Sequence, residues 1–329
     1  MAFVPFQAAN DIADRFLELL QRHRIDPPRG SSLEDELLSV SQLIEVARNP
    51  NSAEGPDRVA VLRSAAGIHD LAAKVLSVEP LTEFPKFVPH LALIARTKAT
   101  AASLGQNAPG GGPFDDLSRK IAKLYVACLA AHLGTRVELD SPTNAKGDNP
   151  DIIFTVEPRS EPPNVWALAI KSITSRHGQT IFERVTEGAA QIDDPKCRAD
   201  FGMVIVNCKG ALDHDALWNA DFPDLDAAIA ALSAQLNGLA QNAAADRPPS
   251  EWDELFQRKV RRPVMFMGQS LVHLPTPAHE QTPTSLKMIS VYDAQGPLDR
   301  VGAWIARMLN EFMQKILLGI PGDNGRLPR

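Results

Sequence analysis

The sequence predicts an α/β fold preceded by a helical N-terminal region. Three observations support this prediction. The first hundred residues carry helical patterns only, residues 114–208 follow the order helix, strand, strand, strand, helix, strand, and a mixed pattern continues beyond them. Within this order, the apolar run at 202–208 is typical of a buried strand. The chain is therefore expected to divide into a helical region and an α/β domain.

The size and composition are those of an ordinary globular protein. The chain has 329 residues, of which 44% are hydrophobic and 22% are charged, and this composition excludes a disordered or fibrous protein. No apolar stretch approaches the roughly 20 residues of a membrane helix, and the first residues lack the basic segment of a secretion signal. We therefore expect a cytoplasmic protein that does not contact membranes. Its three cysteines, at 128, 197 and 208, have no paired spacing and are expected to be reduced thiols.

The net charge excludes one way of recognising nucleic acid. The chain has 34 basic and 40 acidic residues, a net charge of −6, so it has no overall positive field. Any contact with a phosphate backbone must come from a local patch. The densest basic patch is Arg258, Lys259, Arg261 and Arg262, which either contacts phosphates or is simply a solvated edge between a helix and a strand.

Helices in the N-terminal region are marked by their start and stop signals. A break is expected at 26–28, where two prolines follow an aspartate, and Ser31 with Glu34 forms a capping box before the next helix. Helical patterns follow at about 56–76 and 84–103. Residues 106–113 are too rich in glycine and proline for a helix or strand, so we expect a linker there between a region at 1–105 and a domain at 114–329.

The domain after the linker begins with a helix that Asp115 or Asp116 caps and that ends at Gly134. Strands are expected at 135–140, 151–157 and 165–171, followed by a helix at about 179–192. The short connection predicts that the strands at 151–157 and 165–171 pair as an antiparallel hairpin. The remainder predicts a helix at 222–242, strands near 262–274 and 285–292, and a helix at 297–318. The last helix carries an apolar face that either packs in the core or forms a homodimer interface.

One pair of motifs suggests chemistry. Pro150-Asp151 opens a strand, and twenty residues after Asp151 the next strand ends in Ala169-Ile170-Lys171. With the element order around them, these residues resemble the PD-(D/E)xK nuclease superfamily over about 114–208. The resemblance implies a restriction-endonuclease-like core and cleavage of DNA with Mg²⁺ or Mn²⁺, in bacterial defence or restriction. It also implies that Asp151 is a metal ligand and that Lys171 orients the attacking water.

The chain departs from that family at two ligand positions. Position 169 is alanine where the family has a carboxylate, and the helix before the first strand carries no acidic residue between Asp116 and Glu138. In some restriction enzymes of this superfamily the acidic ligand has moved to the following helix, where this chain has Glu183 and Glu187. Either residue is a candidate second ligand, and the alternative is a solvated helix face. Gln191 on the same helix resembles the glutamine of several nuclease subfamilies.

Ordinary structural roles for the two motif residues compete with the nuclease hypothesis. Asp151 could cap a turn before its strand, and Lys171 could be an ordinary lysine of an edge strand. Hydrolysis of a phosphodiester needs a hard cation on oxygen ligands, and a missing carboxylate weakens such a site. Ala169 therefore favours a second hypothesis, in which a catalytically inactive module of nuclease fold binds nucleic acid or a protein partner.

Overall fold

The fold is taken from a computed structural model, which describes residues 6–48, 58–97, 100–105, 116–142, 149–157, 162–275, 281–315 and 317–318. Two compact units are present. The first contains the described residues of Met1–Cys128 and Lys315–Pro321, and the second contains those of Leu129–Gln314. The division falls inside a helix, α5 (Asp116–Leu133). The linker expected at 106–113 lies outside the described residues and stays a prediction.

The first unit is helical, as the sequence predicts. Its α-helices are α1 (Phe6–Arg22), α2 (Ser32–Arg48), α3 (Arg58–Val78) and α4 (Val88–Arg96), and two short 3-10 helices lie at Phe84–Lys86 and Ala101–Leu104. One half of the predicted capping box is confirmed, because the backbone N–H of Glu34 donates to the Ser31 hydroxyl at 3.3 Å. The Glu34 carboxylate accepts from the N–H of Gly30 rather than from the capping residue itself.

The second unit contains a six-stranded mixed sheet, which confirms the α/β class. After α5 its elements are β1 (Thr135–Leu139), β2 (Ile152–Val156), β3 (Asn164–Ser172), α6 (Gly178–Asp193), β4 (Phe201–Asn207), α7 (His214–Asn219), α8 (Leu225–Ala245), α9 (Pro249–Leu255), β5 (Val264–Pro275), β6 (Gln281–Tyr292) and α10 (Arg300–Gln314). The strands lie in sequence order across the sheet. Strands β1, β2 and β3 are antiparallel neighbours, β4 and β5 run parallel to β3, and β6 is antiparallel to β5. The predicted order from the first helix to the fourth strand is confirmed.

The two faces of the sheet are distinguished by the alternation of side chains along β3. Ala167 and Ala169 belong to the core that also contains the buried side chains of α6 and α8, and Lys171 shares their side of the strand. We call this side the α6 face. A Cβ placed on Gly188 of α6 would lie 2.9 Å from Val204 and 3.5 Å from Ala169. Helix α6 therefore packs directly on β3 and β4.

The apolar face of α10 is buried within the chain. Its buried side chains include Trp304, Ile305, Leu309, Phe312 and Met313. The carbonyl oxygen of the Asn310 side chain accepts from the backbone N–H of Ile289 on β6, which fastens the helix to that edge of the sheet. This is the core-packing alternative, so the apolar pattern gives no support to the predicted homodimer interface. No helix in the described part of the chain is long and apolar enough to cross a membrane.

Candidate active site

The hairpin that carries the motif is confirmed. Strands β2 and β3 pair antiparallel, with Ile152 opposite Leu168. Asp151 precedes β2 directly and is 2% exposed. One oxygen of its carboxylate, Oδ2, accepts from the backbone N–H of Ile170 at 2.7 Å. The Asp151 carboxylate therefore lies beside the peptide unit that joins Ala169 to Ile170, one residue before Lys171.

The position of Lys171 in the sheet argues against its being a lysine of an edge strand. Strand β3 is an interior strand with β2 on one side and β4 on the other, so the interpretation of Lys171 as an edge-strand lysine is wrong. The residue is 6% exposed and lies opposite Val206 of β4. A lysine buried between two strands is rare unless polar groups surround its ammonium. Its side of the strand is the α6 face, which Ala169 shares.

A second carboxylate lies next to Asp151 and was missed by the sequence analysis. Leu139 of β1 lies opposite Ile152 of β2, so Asp140, the residue after β1, follows in register opposite Asp151. The backbone N–H of Asp140 donates to the carbonyl oxygen of Asp151 at 3.0 Å. Residues directly opposite on antiparallel strands have Cβ atoms about 5 Å apart and share a face. The signal in the sequence is an aspartate at the end of the preceding strand, which gains meaning only from the β1–β2 register.

Position 169, where the nucleases that the motif resembles have a carboxylate, is closed by packing. Ala169 is fully buried, with Gly188 of α6 directly above it. The close approach of the helix occupies the space that a longer side chain at 169 needs. The departure from the motif at Ala169 is therefore part of the contact between α6 and β3.

The three candidate residues on helix α6 differ in exposure and in their partners. Glu183 is exposed and accepts from the side-chain amide of Gln179 at 2.9 Å. Glu187 is also exposed, and its carboxylate pairs with the guanidinium of Arg184 at 2.8 Å. Gln191 is 6% exposed. Of the three candidates on this helix, only Gln191 is buried.

The two flanks of α6 face opposite edges of the sheet. On one flank the Phe182 ring packs on Trp252, which packs in turn on Tyr292 of β6, so this flank faces the β6 edge. Residues three and four positions apart share a side of a helix. Arg184, Glu187 and Gln191 have this spacing and occupy the other flank, which faces β2 and β1. Glu187 is an exposed member of this flank, and Gln191 is its buried member.

Side chains of these elements form a polar surface on the α6 face, which we call the β1–β2 trough. Glu138 lies opposite Ile153, which lies opposite Ala167, so the three residues share one face of the sheet. Glu138 and Ile153 are partly exposed. Arg198, from the segment between α6 and β4, pairs with Glu138 at 2.8 Å. The trough comprises a floor of Glu138, Asp140, Asp151 and Ile153, a wall of Arg184, Glu187 and Gln191, and Arg198 at its end.

The basic cluster expected to contact phosphates is engaged within the protein. The Lys259 ammonium donates to the carbonyl oxygen of Cys197 at 2.7 Å. The Arg261 guanidinium stacks on the Phe201 ring at 4.4 Å, and the Arg262 guanidinium stacks on Phe256 at 4.2 Å. Arg262 also donates to the carbonyl oxygen of Asp293 at 2.9 Å. Arg258 is exposed. Three of the four cations therefore have structural partners, and their contact with nucleic acid stays a prediction.

A further buried lysine follows the end of β4. Burial of Lys209 lowers the pKa of its ammonium to about 8. The Lys209 carbonyl oxygen and the Ser270 hydroxyl contact the two ring nitrogens of His214, at 2.6 and 2.9 Å. Asn207 pairs with Ser172, the residue after Lys171, so Lys209 lies beyond the same end of the sheet. No sequence motif marks this lysine.

Within the described residues, no three His, Cys, Asp or Glu side chains are grouped so that they could hold one metal ion. The carboxylates that register brings together at the motif are a pair, Asp140 and Asp151. Comparison with known proteins adds no relative: no family model matches the chain, and no curated protein or solved structure matches it.

Proposed function

We propose that the protein hydrolyses phosphodiester bonds of DNA with the help of a divalent metal ion. The observation that carries the proposal is the position of the Asp151 carboxylate, hydrogen-bonded to the Ile170 amide beside Lys171. The order of α5, β1, β2, β3, α6 and β4 supports it, because it resembles the restriction-endonuclease-like core of the PD-(D/E)xK nucleases. The function expected from that resemblance includes bacterial defence or restriction.

Asp151 and Asp140 are the residues that fit the metal. Mg²⁺ takes oxygen ligands, and sites with one or two carboxylates retain several waters. Two aspartates at adjacent strand ends satisfy this requirement, and Mn²⁺ accepts the same ligands. When bound there, the metal neutralises charge on the scissile phosphate and makes water more acidic.

Lys171 is the positively charged side chain that the protein contributes to this site. Its side chain is buried on the α6 face, two residues along β3 from Ala169, which the β2–β3 register sets opposite Asp151, and we place its ammonium beside the Asp151 carboxylate. In this position it donates hydrogen bonds to a water or to a phosphate oxygen. Gln191 is the buried amide on the flank of α6 that faces β2, and we assign it a positioning role.

A cleavage assay tests the proposal. Purified protein is incubated with linear duplex and single-stranded DNA in Mg²⁺, in Mn²⁺ and with chelator. We expect cleavage with either metal and none with chelator, because hydrolysis needs the metal's charge. Asp151→Asn should lower the rate at least about a hundredfold. The asparagine side-chain oxygen can still accept from the Ile170 amide, so the strand contact survives in this variant.

Asp140→Asn tests whether the second aspartate belongs to the metal site, because the sequence motif contains Asp151 but not Asp140. It should weaken Mn²⁺ binding, measured by calorimetry, and reduce cleavage together with it. Lys171→Met should reduce cleavage with little change in Mn²⁺ affinity. Asp226→Asn, which removes an exposed carboxylate from the first turn of α8, is the matched control and should change neither. Full activity in Asp140→Asn contradicts the two-aspartate site.

A specific observation favours one alternative function. Ala169 is buried beneath Gly188 where the family has a carboxylate, and Glu187 is paired with Arg184. Both features suit a catalytically inactive module of nuclease fold that binds nucleic acid or a protein partner. Absence of cleavage of DNA and RNA in both metals, with nucleic-acid or partner binding unchanged in Asp151→Asn, would support this alternative over the nuclease.

A further inference from the structure

We propose that the β1–β2 trough holds the sugar-phosphate backbone of DNA through Arg184 and Arg198, which leave their carboxylate partners to do so. The inference rests on the proposed function, because it assigns the substrate contacts of the same site. It places the DNA-binding surface on the side of α6 that faces β1 and β2. The basic cluster at 258–262 is then not the phosphate contact.

Two exposed ion pairs border the trough. Arg184 and Glu187 meet at 2.8 Å, and each side chain is 49% exposed. Arg198 and Glu138 also meet at 2.8 Å, with side-chain exposures of 77% and 43%. Both guanidinium groups can therefore reach solvent without a change in the fold. The carboxylates that pair with them belong to the floor and the wall of the trough.

The exchange of partners is energetically easy. An exposed ion pair contributes little to stability, because water screens both charges and each long side chain loses freedom. A DNA phosphate offers an arginine two acceptor oxygens, as a carboxylate does, and it lies in a dense row of negative charge. Phosphates can therefore compete for Arg184 and Arg198 at small cost to the protein.

The exchange at Arg184 has a consequence for the metal site. When a phosphate takes the Arg184 guanidinium, the Glu187 carboxylate loses its partner. Glu187 is exposed on the flank of α6 that faces β1 and β2, so its unpaired negative charge would then raise the affinity of the neighbouring carboxylates for a cation. Binding of DNA and binding of metal should therefore strengthen each other, as linkage requires.

The test measures binding of a short fluorescein-labelled DNA duplex by fluorescence anisotropy. Binding is measured in chelator, where the proposed hydrolysis cannot occur, and again for the Asp151→Asn variant in Mg²⁺. We expect Arg184→Gln and Arg198→Gln each to weaken binding about threefold to tenfold at low salt. Each should also lower the slope of log affinity against log salt by about one, as loss of one phosphate contact does. Glu138→Gln should strengthen binding, because it frees Arg198.

The opposite flank of α6 offers a matched control. Arg247 and Glu251 form an ion pair at 3.3 Å, and the Arg247 guanidinium lies 5.4 Å from the Phe182 ring on that flank. Arg247→Gln and Glu251→Gln should leave DNA binding unchanged. Arg258→Gln tests the basic cluster in the same way. Equal losses for Arg258→Gln and Arg184→Gln, or tighter binding of RNA than of DNA, overturn the assignment.

Failure of this inference and failure of the proposed function are distinguishable. Cleavage without any effect of Arg184→Gln or Arg198→Gln on DNA affinity leaves the nuclease standing and removes the trough contacts. Affinity losses in both variants without cleavage in any metal leave the trough standing and remove the nuclease. The metal coupling has its own measurement, because Mn²⁺ affinity should rise in Arg184→Gln without DNA.

Discussion

Backbone amides hold the buried carboxylates of Asp151 and Glu36. Asp151 accepts from the N–H of Ile170, and Glu36 of α2 accepts from the N–H groups of Ala101 and Ala102 at 2.7 and 2.9 Å. Hydrogen bonds to a carboxylate favour its charged form, whereas burial favours its neutral form. At Glu36 burial is the larger effect, and it raises the pKa of the carboxyl from 4.5 to about 7.

The raised pKa of Glu36 makes stability depend on pH. Between pH 4.5 and 7 the folded protein keeps a proton on Glu36, whereas the unfolded chain has lost it. The contribution of Glu36 to the free energy of unfolding is therefore complete below pH 4.5 and is lost as the pH rises to about 7. The full shift corresponds to roughly 3 kcal/mol. Glu36→Gln cannot titrate, so the stability difference between wild type and this variant should change by up to that amount across the range.

Urea denaturation at several pH values measures this difference. Glu18→Gln, which removes an exposed carboxylate from α1, is measured in parallel as the control for the loss of a surface charge. A stability difference between wild type and Glu36→Gln that stays constant with pH contradicts the assigned pKa.

At the scale of elements, the contact between α6 and β3 controls how much room the candidate site has. Gly188 allows the helix to approach Val204 and Ala169 closely, and this approach buries Ala169 completely. The side chains of β1 and β2 on the same face, Glu138, Asp140 and Ile153, remain partly exposed. The helix therefore covers one half of the α6 face and leaves the trough open on the other.

Placing a carboxylate at position 169 tests this packing. Ala169→Glu forces a long charged side chain beneath Gly188, and we expect it to lower the free energy of unfolding by about 2 kcal/mol or more. Urea denaturation measures the loss. Ala169→Ser, which adds a single oxygen, should cost clearly less. A fully stable Ala169→Glu protein with increased cleavage shows instead that the space beneath α6 can accept a metal ligand.

At the scale of the whole molecule, the three cysteines report on both units. Cys128, Cys197 and Cys208 are free and buried, which confirms that they form no disulfide among themselves. Burial raises the pKa of the Cys128 and Cys208 thiols above its ordinary value. A thiol reacts through its thiolate, so both burial and the raised pKa protect these residues.

A thiol-reactive reagent should therefore distinguish the native protein from the unfolded one. With a chromogenic disulfide reagent at neutral pH, we expect almost no reaction in buffer and three reactive thiols per chain in denaturant. Rapid reaction of one thiol in buffer identifies a unit that opens without global unfolding. Cys128 belongs to the first unit and the other two cysteines to the second, so mapping the modified residue names the unit.

The sequence by itself determined the element order, the class of fold and the pairing of β2 with β3, because hydrophobic period and turn residues are local signals. It also predicted that Asp151 and Lys171 share a face of this hairpin, and the observed register supports this prediction, because Asp151 follows in register opposite Ala169, two residues before Lys171. Only the tertiary structure decided the rest. Asp140 became a partner of Asp151 through the β1–β2 register, across a connection too long for local rules. The burial of Ala169 and the flank occupied by Glu187 depend on how α6 packs on the sheet, because exposure is set by contacts between elements distant in sequence.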